Sequence, residues 1–371
     1  MCIRDRWGDI WGNPSSIHWT GRGPKKVIRE ARESLAKTIG AATPLEVIFT
    51  SGGSEANNLA LKGFFSTLKK SGGLETKNEL IISSVEHPCI IKQCEYLEKT
   101  YGIKVYRIPV SKEGVLDLQF YQDCLSEKTA LVSVMYANNE TGHIFPIKEL
   151  ARQAHAFGAK IHCDAVQSLG KTGFNVVDYD VDLATFSGHK FYALKGAGAL
   201  YCKSQTQLDP LVHGGGQERG RRGGTENILA IASLGLMAEE LLEVSQGVSE
   251  GHGMKELRDL LEAKVIEQIS NVEITGQGNL RLPNTTHLII KGIDGETLLM
   301  NLDVEGFAVS TGAACSSGNS EPSPVLLAMG FSKLEAQSSL RVSLGWKTTK
   351  DEIEKFVAVL VKVVKRQREL V

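Results

Sequence analysis

The seven cysteines of this sequence, at positions 2, 89, 94, 124, 163, 202 and 315, include no C-x-x-C pair. Many zinc sites are built on that spacing, so no metal centre is expected. An odd and scattered set is also no disulfide framework. It suits a reducing compartment, and a cytoplasmic location is expected. Apolar runs are short: none approaches the roughly 18 residues of a membrane span, and nothing at the start reads as a signal peptide. Excess charge is missing too, with 42 Lys and Arg against 43 Asp and Glu, a net charge of −1. A chain so balanced has no overall pull toward nucleic acid or a membrane surface, and neither is expected as a partner. Internal repeats and low-complexity segments are absent. The opening stretch, "MCIRDRWGDIWGNPSS", has neither helical nor strand period, and residues 1–23 read as an atypical start, truncated or replaced.

What is present is an alternation. The 371 residues, 42% hydrophobic and 23% charged, can bury a sizeable core and fill two domains. Helix-like segments from Pro24 to Ile39, His87 to Tyr101 and Ile147 to Phe157 are interleaved with short apolar runs at 46–50, 79–84, 129–136, 159–164, 183–186 and 199–202. Such runs lack polar alternation. They predict a mostly parallel central sheet covered by helices on both faces, an α/β architecture. A long helix from Glu226 to Val244 precedes a polar, glycine-rich break, "SQGVSEGHG". A domain boundary is placed there, giving a large domain over 1–248 and a smaller α+β domain over 249–371. In the second domain strands are expected near 272–275, 285–291, 306–310 and 339–344, with helices near 254–269, 295–302 and 349–369.

In open α/β sheets ligands bind beyond the carboxyl ends of the strands. After "EVIFT" stand Gly52, Gly53 and Ser54 at a helix start, where backbone N–H groups and the helix dipole favour an anion. After "ELIISS" comes His87, after "TALVSVMY" comes Asn139, and after "AKIHC" come Asp164 and Gln167. After "DLATF" come Ser187, His189 and Lys190. Taken singly these have ordinary explanations: a tight turn, a structural histidine, a polar turn, a helix cap, a solvated loop lysine. Together they place an amine, a carboxylate, an imidazole and an anion cradle on one sheet edge. Pyridoxal phosphate (PLP) needs that set: a Schiff-base lysine, an acid that keeps the ring nitrogen protonated, and donors for the phosphate.

Eight stretches in order carry a resemblance: "FTSGGSEANNLALKG", "VEHPCI", "NNETG", "HCDAVQSLGK", "FSGHKFYALKGAGALY", "HGGGQERGRRGGTEN", "STGAACSSGNSEPS" and "SSLRVSLGW". They resemble the cysteine desulfurases of the NifS/IscS type, which are class V aminotransferase-like, fold-type I PLP enzymes. The similarity runs from about Gly12 to the C-terminus. It implies that Lys190 holds the cofactor and shuttles protons, Asp164 pairs with the ring nitrogen, and His87 stacks on the ring and assists proton transfer. It implies that Gln167 bonds the phenolic oxygen and that Asn139 lies by cofactor and substrate. Gly53, Ser54, Ser187 and His189 are implied to hold the phosphate, and Thr225 to reach the phosphate of a neighbouring subunit in a homodimer. Arg341 is implied to bind the substrate carboxylate.

Cys315 is implied to be the nucleophile, in a loop of small and polar residues suited to mobility. It would take sulfur from L-cysteine, leaving L-alanine, and pass a persulfide to an acceptor protein, an iron–sulfur scaffold or a tRNA-thiolation protein. The absence of an R-x-G-H-H-C arrangement favours the NifS/IscS branch over the SufS-like one. One departure stands out: the family's usual opening strand, similar to "YLDNAATTP", is not found. The other readings are a selenocysteine lyase or another class V PLP enzyme, and a catalytically impaired scaffold that retains the fold.

Overall fold

The structure of the protein, a computed structural model, describes residues 11–245, 253–311 and 322–369. Residues 1–10 of the atypical start, residues 246–252 of the break with the expected domain boundary, and residues 312–321 with Cys315 lie outside the described residues.

The chain begins with helix α1 (Trp19–Ile39) and strand β1 (Val47–Thr50). Helix α2 (Gly53–Asn58) runs through a wide turn at Leu59–Gly63 into α3 (Phe64–Lys70). Then follow β2 (Glu79–Ser83), α4 (Pro88–Tyr101), β3 (Lys104–Ile108), α5 (Leu118–Cys124), β4 (Thr129–Met135), α6 (Ile147–Ala156) and β5 (Lys160–Asp164). Strands β6 (Leu183–Ser187) and β7 (Gly198–Cys202) complete a seven-stranded sheet in the order β1-β7-β6-β5-β4-β2-β3. Only β7 runs against its neighbours. Strands β1, β2, β4, β6 and β7 are buried at every residue, as strands covered on both faces must be.

One cover is the pair α1 and α7 (Ile228–Glu240). Gly235 sets their approach: a Cβ there would stand 2.4 Å from Ala31 Cα, so only glycine lets the two backbones meet. Helix α8 (Leu242–Ser245) follows after a break at Leu241. The single long helix expected from 226 to 244 is thus two helices, the first capped by Asn227, whose Oδ1 accepts from Ala230 N at 3.3 Å. Helix α1 starts five residues earlier than Pro24 predicts, because the proline lies inside the helix rather than at its first position.

The C-terminal part holds α9 (Met254–Gln268), β8 (Val272–Ile274), β9 (Thr285–Ile290), α10 (Gly295–Val304), α11 (Pro324–Ala328), α12 (Lys333–Gln337), β10 (Ser339–Ser343) and α13 (Lys350–Arg368). Its three strands form an antiparallel sheet in the order β10-β9-β8, and Leu261, Leu298, Leu340, Phe356 and Leu360 pack around it. The strand expected at 306–310 does not form. Gly306 turns the chain at φ 90°, and only Ser310 meets β10, opposite Arg341. Short helices α11 and α12 escape sequence periodicity because one turn and a half is too short to show a period; Ser323 and Ser332 cap them. Among the described residues no helix is long and apolar enough to cross a membrane, and no group of His, Cys, Asp and Glu suits a metal.

Among the contacts that tie the parts together, two lie close to the sheet edge. Trp346 stacks on Tyr192 with ring centroids 4.5 Å apart, and its backbone N–H donates to the Tyr192 hydroxyl at 3.0 Å. Arg341 reaches from β10 to donate to the Asn139 carbonyl at 3.1 Å.

Candidate active site

Strand register explains why distant residues meet. Asp164, the last residue of β5, sits opposite Met135 of β4 and Thr185 of β6. Strand β6 then runs two residues further to Ser187, and Ser187 and Thr50 both face Gly198 of β7. The ends of β1 and β6 therefore converge over one glycine. A Cβ on Gly198 would stand 2.6 Å from the Gly52 carbonyl carbon, so the loop entering α2 closes down only because Gly198 is bare.

A cavity of about 280 Å³ opens at this edge. Its walls include Gly53, Ser54, His87, Asn139, Asp164, Gln167, Ser187, His189, Lys190 and Arg341, ten of the residues singled out in the sequence. Thr225 is not among them. It lines a separate cavity with Ser51, Arg222 and Glu226. Cys315 lies outside the described residues, but both flanks of its segment are placed. Ser310 pairs with Arg341 on one side, and on the other Ser323 Oγ donates to Glu140 Oε2 at 2.5 Å, beside Asn139.

Asp164 is the electrostatic centre. Its Oδ2 accepts from Asn57 Nδ2 at 2.7 Å and its Oδ1 from the Val166 N–H at 3.1 Å. Burial raises its pKa, and the two hydrogen bonds and the neighbouring His87 pull it back. His87 caps α4: its Nδ1 accepts from the Cys89 N–H at 3.1 Å. A backbone N–H only donates, so the neutral ring carries its proton on Nε2. Burial lowers the His87 pKa, against the pull of Asp164, and keeps the ring neutral. Behind Asp164 lies Glu86, whose Oε1 accepts from Ser83 Oγ at 2.6 Å and from the Met135 N–H at 2.9 Å. Burial pushes it up to about 8, so it is a neutral acid near pH 7.

Lys190 is carried by a helical turn, Gly188–Phe191, directly after β6, and is exposed toward the cavity. Beside it Ser187 Oγ and His189 Nδ1 lie 3.1 Å apart. Gly53 approaches the same serine: a Cβ there would stand 3.3 Å from Ser187 Cβ. Hydroxyls, an imidazole and the N–H groups opening α2 thus form one donor set suited to a phosphate. The glycine-rich segment from 213 to 226 is anchored from outside. Arg32 grips Glu218 with bonds of 2.8 and 2.6 Å, and Arg222 bonds Glu55 at 2.8 Å.

Sequence reasoning missed Asn57, Cys89, Met135, Ala137 and Val166, which also line the cavity. Asn57 follows Gly53 by four residues, one helical turn, and that spacing was a usable signal. Cys89 is no rival nucleophile. Burial and Asp164 push its thiol up to about 12, and every other described cysteine is raised as well.

The donor set matches PLP piece by piece: a cluster of phosphate donors, an amine within the same cavity, and a buried carboxylate held by two donors for a protonated ring nitrogen. Fold and cavity together define a fold-type I PLP enzyme. The pattern of the Aminotransferase class-V family matches residues 3–356. The chain is 42% identical over 361 residues to "Cysteine desulfurase IscS" of Dictyoglomus turgidum, covering 97% of this chain and 89% of that one. A solved "NifS-like protein" matches with a TM-score of 0.88 at 32% identity, over 98% of this chain and 94% of that chain. A structure titled "SspA in complex with cysteine" matches with a TM-score of 0.79 at 32% identity, covering 94% of each chain. The chain belongs to the class-V aminotransferase family and, within it, to the PLP-dependent cysteine desulfurases.

Proposed function

We propose that this enzyme takes the sulfur of L-cysteine onto Cys315 and releases L-alanine. The observation that supports the assignment of Cys315 lies in the described residues on either side of its segment: Ser310 pairs with the cavity-lining Arg341, and Ser323 donates to Glu140, next in sequence to the cavity-lining Asn139. The raised thiols of the described cysteines support it, since the thiolate is the nucleophile.

Gly53, Ser54, Ser187 and His189 would hold the phosphate of PLP, Asp164 the ring nitrogen, Gln167 the phenolic oxygen, and Lys190 the aldehyde carbon. Bound there, PLP supplies a carbonyl for amine exchange and an electron-withdrawing ring for the substrate α-carbon. Arg341, which lines the cavity and donates to the Asn139 carbonyl, would bind the substrate carboxylate. Lys190, the amine in the same cavity, would move the proton of the substrate α-carbon. His87 is a neutral ring with Nε2–H available to the cavity and hands on protons there. The Cys315 thiolate attacks the substrate sulfur: an S–S bond forms, the C–S bond breaks, and the electron pair stays with carbon, which takes up a proton. Cysteine and the enzyme thiol become alanine and an enzyme persulfide, with atoms and electrons balanced.

The rest of the reading concerns context. The cofactor domain spans 1–248 and the smaller domain 249–371 brings Arg341 and Cys315. Thr225, kept out of this chain's own cofactor cavity, serves the phosphate of a second copy in a homodimer. The enzyme works in the cytoplasm, and an iron–sulfur scaffold or tRNA-thiolation protein accepts the persulfide.

The test is Cys315→Ser. The variant should bind PLP as the parent does and change its spectrum on adding L-cysteine, yet yield almost no alanine and no persulfide by mass spectrometry. Alanine formation at the parental rate would remove Cys315 from the mechanism.

A further inference from the structure

The cavity wall is backed by a lysine that none of these roles uses. In "DAVQSLGK" the chain turns back after β5, and Lys171 Nζ lies 2.5 Å from Gln167 Oε1. An ammonium has only hydrogens to offer, so the atom it meets is the amide oxygen and not the NH₂. Gln167 lines the cavity. With Oε1 held from behind, its Nε2 is left for the cavity side, and among the described residues Nε2 has no acceptor.

Lys171 is an expensive residue to place here. Among the described residues no carboxylate pairs with it, and the charges that act on it are the cations Lys190 and Arg341. Burial and these two cations lower its pKa to about 7. Near neutral pH the amine is thus only partly protonated, and its ammonium form, part-buried beside these cations, is held by the Gln167 oxygen.

We infer that Lys171 is a positioning residue, which locks the Gln167 amide with its NH₂ toward the cavity so that it donates to an anionic oxygen of the bound ligand. The inference rests on the PLP reading, in which that oxygen is the cofactor's phenolate. A reversed amide would present a lone pair to the anion instead. Lys171 therefore acts on the cofactor's electronic state through Gln167, and in its protonated form adds a positive charge behind it.

The experiment is a pH titration of the visible band of bound PLP in the holoenzyme, with folding checked by circular dichroism. A donor and a cation near the phenolate both lower the pH at which the band titrates. Lys171→Met should therefore raise the midpoint by about one unit, and Lys171→Arg should restore most of it. If Lys171→Met does not fold, Lys171→Gln carries the same measurement. Gln167→Ala should also raise the midpoint. In that background Lys171→Met should shift it less than in the parent. An unshifted midpoint in a folded, PLP-loaded Lys171→Met overturns the inference. So does an equal shift with and without Gln167, which would mean that Lys171 acts by charge alone. A parent that takes up no PLP overturns the cofactor reading instead, and is distinguished by having no band to titrate.

Discussion

Asn57 offers the sharpest test of how this fold controls its cofactor. Its amide donates to Asp164 Oδ2 at 2.7 Å, and both residues are buried. Asn57→Ala removes one of the two donors that hold the carboxylate charged; the Val166 N–H alone remains. A hydrogen bond to a buried charge is worth about 1.5–3 kcal/mol, which is about one to two pKa units. The Asp164 pKa, already raised by burial, rises further, so the neutral acid persists to higher pH. In the proposed role Asp164 pairs with a protonated ring nitrogen, so only its ionised fraction would bind PLP productively. Below the carboxyl's pKa the apparent affinity for PLP should fall by about ten- to a hundredfold, and the deficit should shrink as pH rises past it. The assay is titration of apoprotein with PLP between about pH 6 and pH 9, read by absorbance, with denaturant unfolding as a check on the fold. A folded Asn57→Ala that binds PLP like the parent at every pH would show that Asp164 does not depend on this bond.

Two further outcomes follow from groups around the same edge. Glu86 has a folded pKa of about 8 against an ordinary 4.5, so between those values the native state holds more protons than the unfolded chain and stability falls as pH rises. Glu86→Gln removes that slope, at most about 1.4 kcal/mol per pH unit; urea unfolding at several pH values should show the variant gaining on the parent toward pH 8, and parallel curves would refute the buried neutral acid. Gly198→Ala drives a methyl to 2.6 Å from the Gly52 carbonyl carbon and 2.8 Å from the Phe186 carbonyl oxygen. It should cost about 1–3 kcal/mol of stability and lower PLP affinity, measured by cofactor titration; unchanged affinity would mean that the cradle does not depend on how closely the loop approaches.

Much of this was legible in the residue order. Short, wholly apolar runs declared a covered parallel sheet, because strands buried on both faces have no polar side to alternate. The chemistry-bearing residues were legible because each follows such a run, and strand ends in an α/β sheet share one edge. Boundaries were less legible. Pro24 suggested a helix start that the chain places at Trp19, and 306–310 looked like a strand where only Ser310 finds a partner. Pairing depends on what lies opposite, and no local pattern states that.

The sequence by itself determined the candidate set: Lys190, Asp164, His87 and the donors around Gly53, each announced by its own strand end. Tertiary structure alone decided how they are tuned. Asn57 on α2 meets Asp164 on β5 across 107 positions, Arg341 reaches Asn139 across 202, and Thr225 stays out of the cavity that holds the rest. It also decided that Glu86 is neutral and that Lys171 holds Gln167 by its oxygen. Ionisation and amide orientation are set by burial and by the partner across the fold, and neither is a property of a residue's neighbours along the chain.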